Sequence, residues 1–158
     1  AFLLSCHTGL RYSDLKQLKQ GNVTFEGENA YITVVQQKTK SMNRIPVPVQ
    51  ALGLLARGAS EGPDALIFPE LAVSSTVSVA LRAFLLAAGI TKKITFHSAR
   101  HTYAMAVYTA TSDLYVTQQL LGHTDIKTTQ IYAKMSDKRK LEAVQQLQEQ
   151  MYQKGKKK

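Results

Sequence analysis

A mixed α+β fold, mostly helical with one small three-stranded antiparallel sheet, is what this 158-residue chain predicts. Three observations carry that expectation. Residues 22–48 gather β-branched residues into short runs separated by turn residues. Elsewhere, apolar residues recur at helical spacing in segments opened by Ser or Thr and closed by Gly. A chain of this length also forms one domain that buries well over half its unfolded surface.

Ala1 to Leu18 reads as a helix bent near Thr8-Gly9, with Phe2, Leu3, Leu10, Leu15 and Leu18 as apolar anchors. Gly9 supplies the cap or break. The stretch TGLRYSDLKQL restarts the helix with Ser13 or Asp14 early in it, which puts Arg11 at the junction. An arginine in such a place is ordinarily a surface residue.

Three strands follow: Val23–Phe25, Tyr31–Val35 and Arg44–Pro48, the first two joined through Glu26-Gly27-Glu28-Asn29. Pro46 and Pro48 donate no ladder hydrogen bonds and assign the last strand to an edge. The second hairpin carries Lys38 and Lys40 at its tip, where a long cation reaches beyond the fold.

Val49 to Arg57 reads as helix and Gly58 to Pro63 as loop, followed by the short apolar run Ala65–Phe68 closed by Pro69. Ser74 or Ser75 caps a helix with Val77, Ala80, Leu81, Phe84 and Ala88 on its buried face, and Gly89 closes it. Thr95 caps the next, whose buried face is Ala99, Tyr103, Ala106, Val107 and Ala110. Ser112 caps a helix through Leu121 that Gly122 ends. Thr124 then opens a short turn leading to Tyr132. Ser136 caps a last helix with the narrow stripe Leu141, Val144, Leu147 and Met151, and the tail GKKK is expected to be disordered.

Lys and Arg number 20 against 11 acidic residues, a net charge of +9, and the body keeps +5 without the four lysines of the tail. A basic excess spread through a folded body suits a nucleic acid partner, because phosphate contacts release counterions. Solubility alone accounts for the same balance. The single cysteine, Cys6, forms no intrachain disulfide and is expected as a buried small hydrophobe in a reducing compartment. The opening AFLLSC is too short for a membrane span and lacks the basic start of a signal peptide. It begins in mid-helix, as an excised piece of a longer protein would.

The chemistry concentrates in Thr95–Tyr132, which holds three of the four histidines, Arg100 and Tyr132. Cleaving a phosphodiester needs a nucleophile, charge neutralisation at the non-bridging oxygens and a proton for the leaving oxygen. The carboxylates show no two-metal clustering. His97 and His101 have the i, i+4 spacing of a zinc pair, but residue 98 is Ser and no third ligand is evident. No metal or cofactor is therefore expected. Guanidinium groups then do the metal's work, with Arg11 and Arg100 as candidates. His97 and His123 serve as hydrogen-bond donors or proton carriers, and Lys38 as acid to the leaving oxygen. Tyr132 is a candidate nucleophile, since nearby cations ease loss of a phenol's proton. Spacing alone does not choose among the seven tyrosines, and His123 after Gly122 reads equally well as an ordinary capping residue.

The segments TGLRYSDL, QQKTKSMNRIPVP, HSARHTYA and LLGHTDIKTTQIYA, in that order, resemble the boxes of the tyrosine recombinase (phage integrase) family across nearly the whole chain. The resemblance implies that family's catalytic-domain fold. It assigns Arg11, Lys38, His97, Arg100, His123 and the nucleophile Tyr132 as catalytic, with Asp14, His101 and Lys40 as supporting positions. Lys40 competes with Lys38 as general acid. Ser98 and Ala99 depart from the commoner acidic-then-Leu pair, at non-catalytic positions. The resemblance further implies site-specific recombination through a 3′-phosphotyrosine, without metal or ATP, on double-stranded DNA. A type IB topoisomerase activity and a non-catalytic DNA-binding module are the alternatives. It implies residues 1–135 as the catalytic core and 136–158 as a helix and tail able to dock on a neighbouring subunit. An N-terminal DNA-clamping domain outside these residues, a homotetramer on DNA, a monomer for these residues in isolation, and weak, poorly specific DNA binding by these residues alone also follow. The expected location is the cytoplasm of a bacterium or of the host of a phage or mobile element, at the nucleoid. Neither membrane nor small-molecule substrate is expected.

Overall fold

Helix α1 (Phe2–Thr8) stops where Gly9 turns left-handed, φ 69°, and returns its N–H to the Ser5 carbonyl at 2.9 Å. The structure, a computed structural model, describes residues 1–35, 42–56, 62–71, 73–133, 141, 143–149 and 152. Past Gly9 the chain redirects into α2 (Tyr12–Lys16). Two hydroxyls stabilise the bend from inside: Ser5 Oγ donates to Leu10 O and Thr8 Oγ1 to Leu4 O, each at 2.7 Å. Leu10, Leu15 and Leu18 are buried as expected, but Leu3 is exposed and Leu4, one position around the helix, is buried in its place. Phe2 is half-buried and meets Phe96 edge-on.

The sheet has the order β1-β2-β3, with β1 (Val23–Glu26), β2 (Asn29–Val35) and β3 (Met42–Val47) antiparallel throughout. Glu26 pairs with Asn29, so β1 and β2 join through Gly27-Glu28, and Gly27 at φ 59° supplies the left-handed residue that tight hairpins need. Along β2, Ala30, Ile32 and Val34 alternate inward. They face Ile45 and Val47 of the edge strand β3, whose Pro46 sits opposite Tyr31. Lys38 and Lys40 lie outside the described residues, as do Gly58–Glu61 of the expected loop, Ser136, Met151 and the GKKK tail.

Of the helix expected over Val49–Arg57, Val49–Leu54 forms as a 3₁₀ segment, with Ala51 N–H returning to Pro48 O at 2.8 Å, and Arg57 lies outside the described residues. Gly53, its fifth residue, weakens any α-helical alternative by about 1 kcal/mol. The apolar run near residue 67 adds one antiparallel bridge, Lys19 to Leu66, and buries Ile67 and Phe68.

Helix α3 (Ser74–Ala87) starts from Val73, not from a capping serine. Its inward residues are Val77, Leu81 and Leu85, while Ala80, Phe84 and Ala88 face solvent. Helix α4 (Phe96–Thr111) starts at Thr95, whose N–H donates to Ser98 Oγ at 3.0 Å. It buries Phe96, Ala99, Arg100, Ala104 and Tyr108, with Tyr103 and Val107 half-buried and Ala106 and Ala110 exposed. Ser112 ends α4 in a left-handed conformation. The cap of α5 (Leu114–Leu121) is Asp113, whose Oδ1 accepts from Tyr115 N and Val116 N at 2.7 and 3.0 Å. Helix α6 (Lys127–Gln130) runs into a 3₁₀ turn, Ile131–Ala133, and Asp125 rather than Thr124 accepts from its first N–H. Residues 143–149 are helical, and Leu141, Val144 and Leu147 are more than half exposed.

Two apolar clusters result. The larger joins α1, α2, the sheet, Ile67 and Phe96; the smaller is Ala104, Tyr108, Leu121 and Tyr132. Helix α4 runs from one to the other, and Arg100 falls between its two contributions. Cys6 is half-buried, and desolvation pushes its thiol pKa up. No helix among the described residues is long and apolar enough to cross a membrane.

Candidate active site

Arg11 stands at the first position of the restarted chain, as the residue preceding α2. Its N–H donates to Asp14 Oδ2 at 2.9 Å, so Asp14 fixes the backbone from which the guanidinium projects. Tyr12, next to it, packs edge-on against Phe96 at 5.4 Å between ring centres, tying this bend to the start of α4.

Arg100 is 4 % exposed, and its charge is held by two backbone carbonyls. Nη1 donates to Gly9 O and Nη2 to Leu121 O, both at 2.6 Å. Five N–H donors in a planar fork leave three for a substrate. Burial, then repulsion from Arg11, lowers its pKa to about 10, still charged at neutral pH. Gly9 cannot be replaced freely: besides its positive φ, a Cβ there would lie 2.5 Å from Cδ1 of Tyr103.

His123 is placed by the end of α5. Gly122 turns left-handed at φ 63°, and His123 N–H reaches back to Gln118 O at 3.1 Å, closing the helix. Gln118 Nε2 returns a bond to His123 O at 2.9 Å, and the ring Nδ1 pairs with Thr129 Oγ1 at 2.9 Å. Thr129 is fully buried. Desolvation first, then Arg100, Arg11, His97 and His101, push the His123 pKa down to about 4, so the ring is neutral at pH 7.

His97 and His101 lie one turn apart on α4 with rings edge-to-face, 4.6 Å between centres. His97 presents an exposed edge, yet packing against its neighbour desolvates the ring; that effect, followed by His101, Arg100 and Arg11, lowers its pKa. Tyr132 is 6 % exposed, and its hydroxyl meets His101 Nδ1 at 2.8 Å. Its pKa is raised, because burial outweighs the opposing pull of Arg100. The expected easing of proton loss is thus reversed in this conformation by desolvation.

Arg11, His97 and Arg100 line one cleft of about 250 Å³ with Tyr12, Thr95 and Ser5. His123 and Tyr132 also feel the charge of Arg100. Five of the six expected catalytic positions are therefore gathered at α4, and Lys38 lies outside the described residues. A larger cleft, about 500 Å³, opens between α3 and the start of α4, with Arg82, Lys92 and Lys93 beside Leu86 and Ile90; it contains none of those positions but shares Ser78 and Thr95 with the smaller one. Among the described residues no group of three His, Cys, Asp or Glu side chains is placed to hold a metal, and Nδ1 of His101 is engaged by Tyr132.

Residues 1–139 match the family model described as the phage integrase family. The chain belongs to that family. It is 33 % identical over 152 residues to the tyrosine recombinase XerA of Pyrococcus furiosus, covering 90 % of this chain and 52 % of that protein. The crystal structure of XerH site-specific recombinase bound to difH superposes with a TM-score of 0.74 at 23 % identity, over 90 % of this chain and 44 % of that one. The catalytic domain of bacteriophage HP1 integrase gives 0.64 at 22 % identity, over 91 % of this chain and 79 % of that one. The fold is thus the tyrosine recombinase catalytic-domain fold, and the chain spans about half the length of the curated relatives it matches.

Within this member of the phage integrase family, sequence reasoning passed over Thr129, Gln118 and the Gly9 and Leu121 carbonyls. The only signal for Thr129 was an ordinary T-T pair before Tyr132. The carbonyls carry no residue-type signal at all.

Proposed function

We propose that this chain is the catalytic domain of a site-specific DNA recombinase that cleaves and rejoins strands through a 3′-phosphotyrosine. The observation that carries the proposal is the position of the Tyr132 hydroxyl beside α4, within the electrostatic reach of an Arg100 that shares its cleft with Arg11 and His97. Tyr132 attacks the scissile phosphorus and the 5′-hydroxyl leaves. Arg11 and Arg100 neutralise the non-bridging oxygens, which stabilises the transition state where charge accumulates. Neutral His123 donates a hydrogen bond to the same group, His97 orients it, and Lys38 protonates the leaving oxygen, with Lys40 as its competitor. The 5′-hydroxyl of a partner strand then reverses the step, so neither ATP nor metal is consumed.

Double-stranded DNA is the proposed substrate. The net charge of +9 supports it, as does the difH substrate held by XerH. A cleft of about 250 Å³ lies below the usual range of small-molecule pockets, roughly 300–1,000 Å³, and suits one phosphodiester. A DNA substrate implies a cytoplasmic, nucleoid-associated protein. The exposed stripe Leu141, Val144 and Leu147 supports docking of residues 136–158 on a neighbouring copy in a DNA-bound tetramer. Unchanged junction assembly after deletion of 136–158, with folding intact, removes that part of the proposal.

A nicked suicide substrate tests the central claim. The protein is expected to form a covalent DNA adduct that Tyr132→Phe abolishes; an adduct that survives Tyr132→Phe assigns the nucleophile elsewhere.

A further inference from the structure

Resting on the recombinase reading above, we propose that His101, not His97 or His123, takes the hydroxyl proton of Tyr132 as its oxygen attacks phosphorus. A general base must lie within hydrogen-bond reach of the proton it removes. Nδ1 of His101 is 2.8 Å from the Tyr132 hydroxyl, close to the ideal O–H···N separation. The ring centres are 5.6 Å apart at a tilt of 60°, so the contact is through the ring edge and not a stack.

The other candidate bases are engaged elsewhere. The ring of His97 meets the ring of His101 rather than the phenol. His123 commits Nδ1 to Thr129 Oγ1 at 2.9 Å. Burial lifts the Tyr132 pKa above that of a free phenol, so the hydroxyl keeps its proton at neutral pH until a base in contact removes it. An imidazole is the side chain suited to that task near pH 7.

The phenol O–H bond breaks and its proton moves to His101 Nδ1. The bond from the Tyr132 oxygen to phosphorus forms, the phosphorus–O5′ bond breaks, and the 5′-oxygen receives a proton from the general acid, the role proposed for Lys38. On rejoining, the incoming 5′-hydroxyl gives its proton to the now-deprotonated general acid, the role proposed for Lys38, as its oxygen bonds to phosphorus; the bond from phosphorus to the Tyr132 oxygen breaks, and His101 returns the proton to the phenolate. His101 must accept positive charge beside His97 and His123, on both of which it acts electrostatically together with Arg100 and Arg11. A phosphodiester anion seated between Arg11 and Arg100 offsets that repulsion. Proton removal is thereby favoured once DNA is bound. Because Arg100 and His101 are neighbours on one helix, seating the phosphate and readying the base are a single event.

Acceptor and donor roles at Nδ1 depend on the tautomer, and the proposal requires the neutral Nε2–H form. Nitrogen-15 long-range NMR on the unaltered protein at pH 7 should show His101 with Nδ1 unprotonated, and Tyr132→Phe should shift that nitrogen alone among the ring nitrogens of the chain's histidines. A protonated Nδ1 overturns the proposal without reference to activity. The kinetic arm uses single-turnover cleavage of the suicide substrate. His101→Asn keeps an amide near the Nδ1 position but is no base. It should slow cleavage about 10²- to 10⁴-fold at neutral pH with DNA affinity unchanged, and recover as pH rises and the phenol ionises unaided. Added imidazole should partly restore His101→Ala. A His101→Asn rate equal to that of the unaltered protein overturns the proposal; so does equal slowing of both variants at every pH, which is the signature of positioning alone. Failure of the unaltered protein to form any adduct strikes the recombinase reading instead, and the NMR result then decides the His101 contact on its own.

Discussion

Arg100 and Gly9, 91 residues apart in sequence, are joined by a 2.6 Å hydrogen bond from the guanidinium Nη1 to the glycine carbonyl. The same guanidinium holds Leu121 O through Nη2. The residue proposed to grip the phosphate is therefore also a brace between the first bend of the chain and the end of α5.

Replacing Arg100 should accordingly cost stability as well as activity. Buried hydrogen bonds from a charged group contribute about 1.5–3 kcal/mol each, so Arg100→Ala is expected to lose about 3 kcal/mol or more in urea unfolding. Arg100→Lys keeps the charge but not the fork, and should recover part of the stability and little of the cleavage.

Gly9→Ala meets two obstacles at once. A left-handed φ costs an L-residue roughly 1–2 kcal/mol, and the new methyl would overlap the Tyr103 ring. The expected loss is about 2–4 kcal/mol. In a Tyr103→Ala background the same substitution should cost the backbone strain and the milder crowding of Leu121, whose Cδ2 lies 3.2 Å from the new Cβ, so a double-mutant cycle by denaturant unfolding should return a coupling of about 1 kcal/mol or more.

His123 makes folding sensitive to acid. Its folded pKa, about 4, lies below the ordinary imidazole value of 6.5, so the unfolded chain takes up a proton first as pH falls. This contribution is fully present above pH 6.5 and is lost as the pH falls towards 4, with His97 acting in the same sense. Melting temperatures measured from pH 7 to 4 should drop, and His123→Asn should flatten that slope.

Thr129→Val removes the partner of His123 Nδ1 while keeping the side chain's shape. A ring freed by one bond is misplaced rather than absent. Cleavage of the suicide substrate should fall roughly 10- to 100-fold with DNA affinity unchanged.

The cleft bearing Arg82, Lys92 and Lys93 continues from the Arg11–Arg100 cleft through Ser78 and Thr95. If DNA runs along both, Lys92→Ala with Lys93→Ala should weaken binding on all sequences alike. Fluorescence anisotropy against salt should show the log–log slope reduced by about 2.

Much of this was legible in the sequence because it is local. Thr95 and Gly122 punctuate helices at short range, and the alternation of Ala30, Ile32 and Val34 states which face of β2 is inward. The misjudged points are those where local rules tie. Ser112 and Asp113 are both capping residues. The carboxylate wins because one oxygen accepts from two N–H groups, and serine takes the left-handed position. On α3 the apolar residues form several stripes, and only tertiary packing selects Val77, Leu81 and Leu85. The contacts of Arg100 and the meeting of His101 with Tyr132 span 21 to 91 residues, beyond any spacing rule.

The acceptors that hold Arg100 are main-chain oxygens, and that has an evolutionary consequence. Side chains drift between related proteins, but every residue type carries the same carbonyl. Leu121 can therefore be exchanged for another residue of similar bulk without deleting the oxygen that Arg100 uses. At residue 9 the oxygen is equally permanent, but the glycine is not freely exchangeable, because Tyr103 and the left-handed turn exclude a Cβ. Divergent relatives can thus keep the same arginine clamp with unlike residues at one anchor, and the constraint on variation falls on the turn at the other.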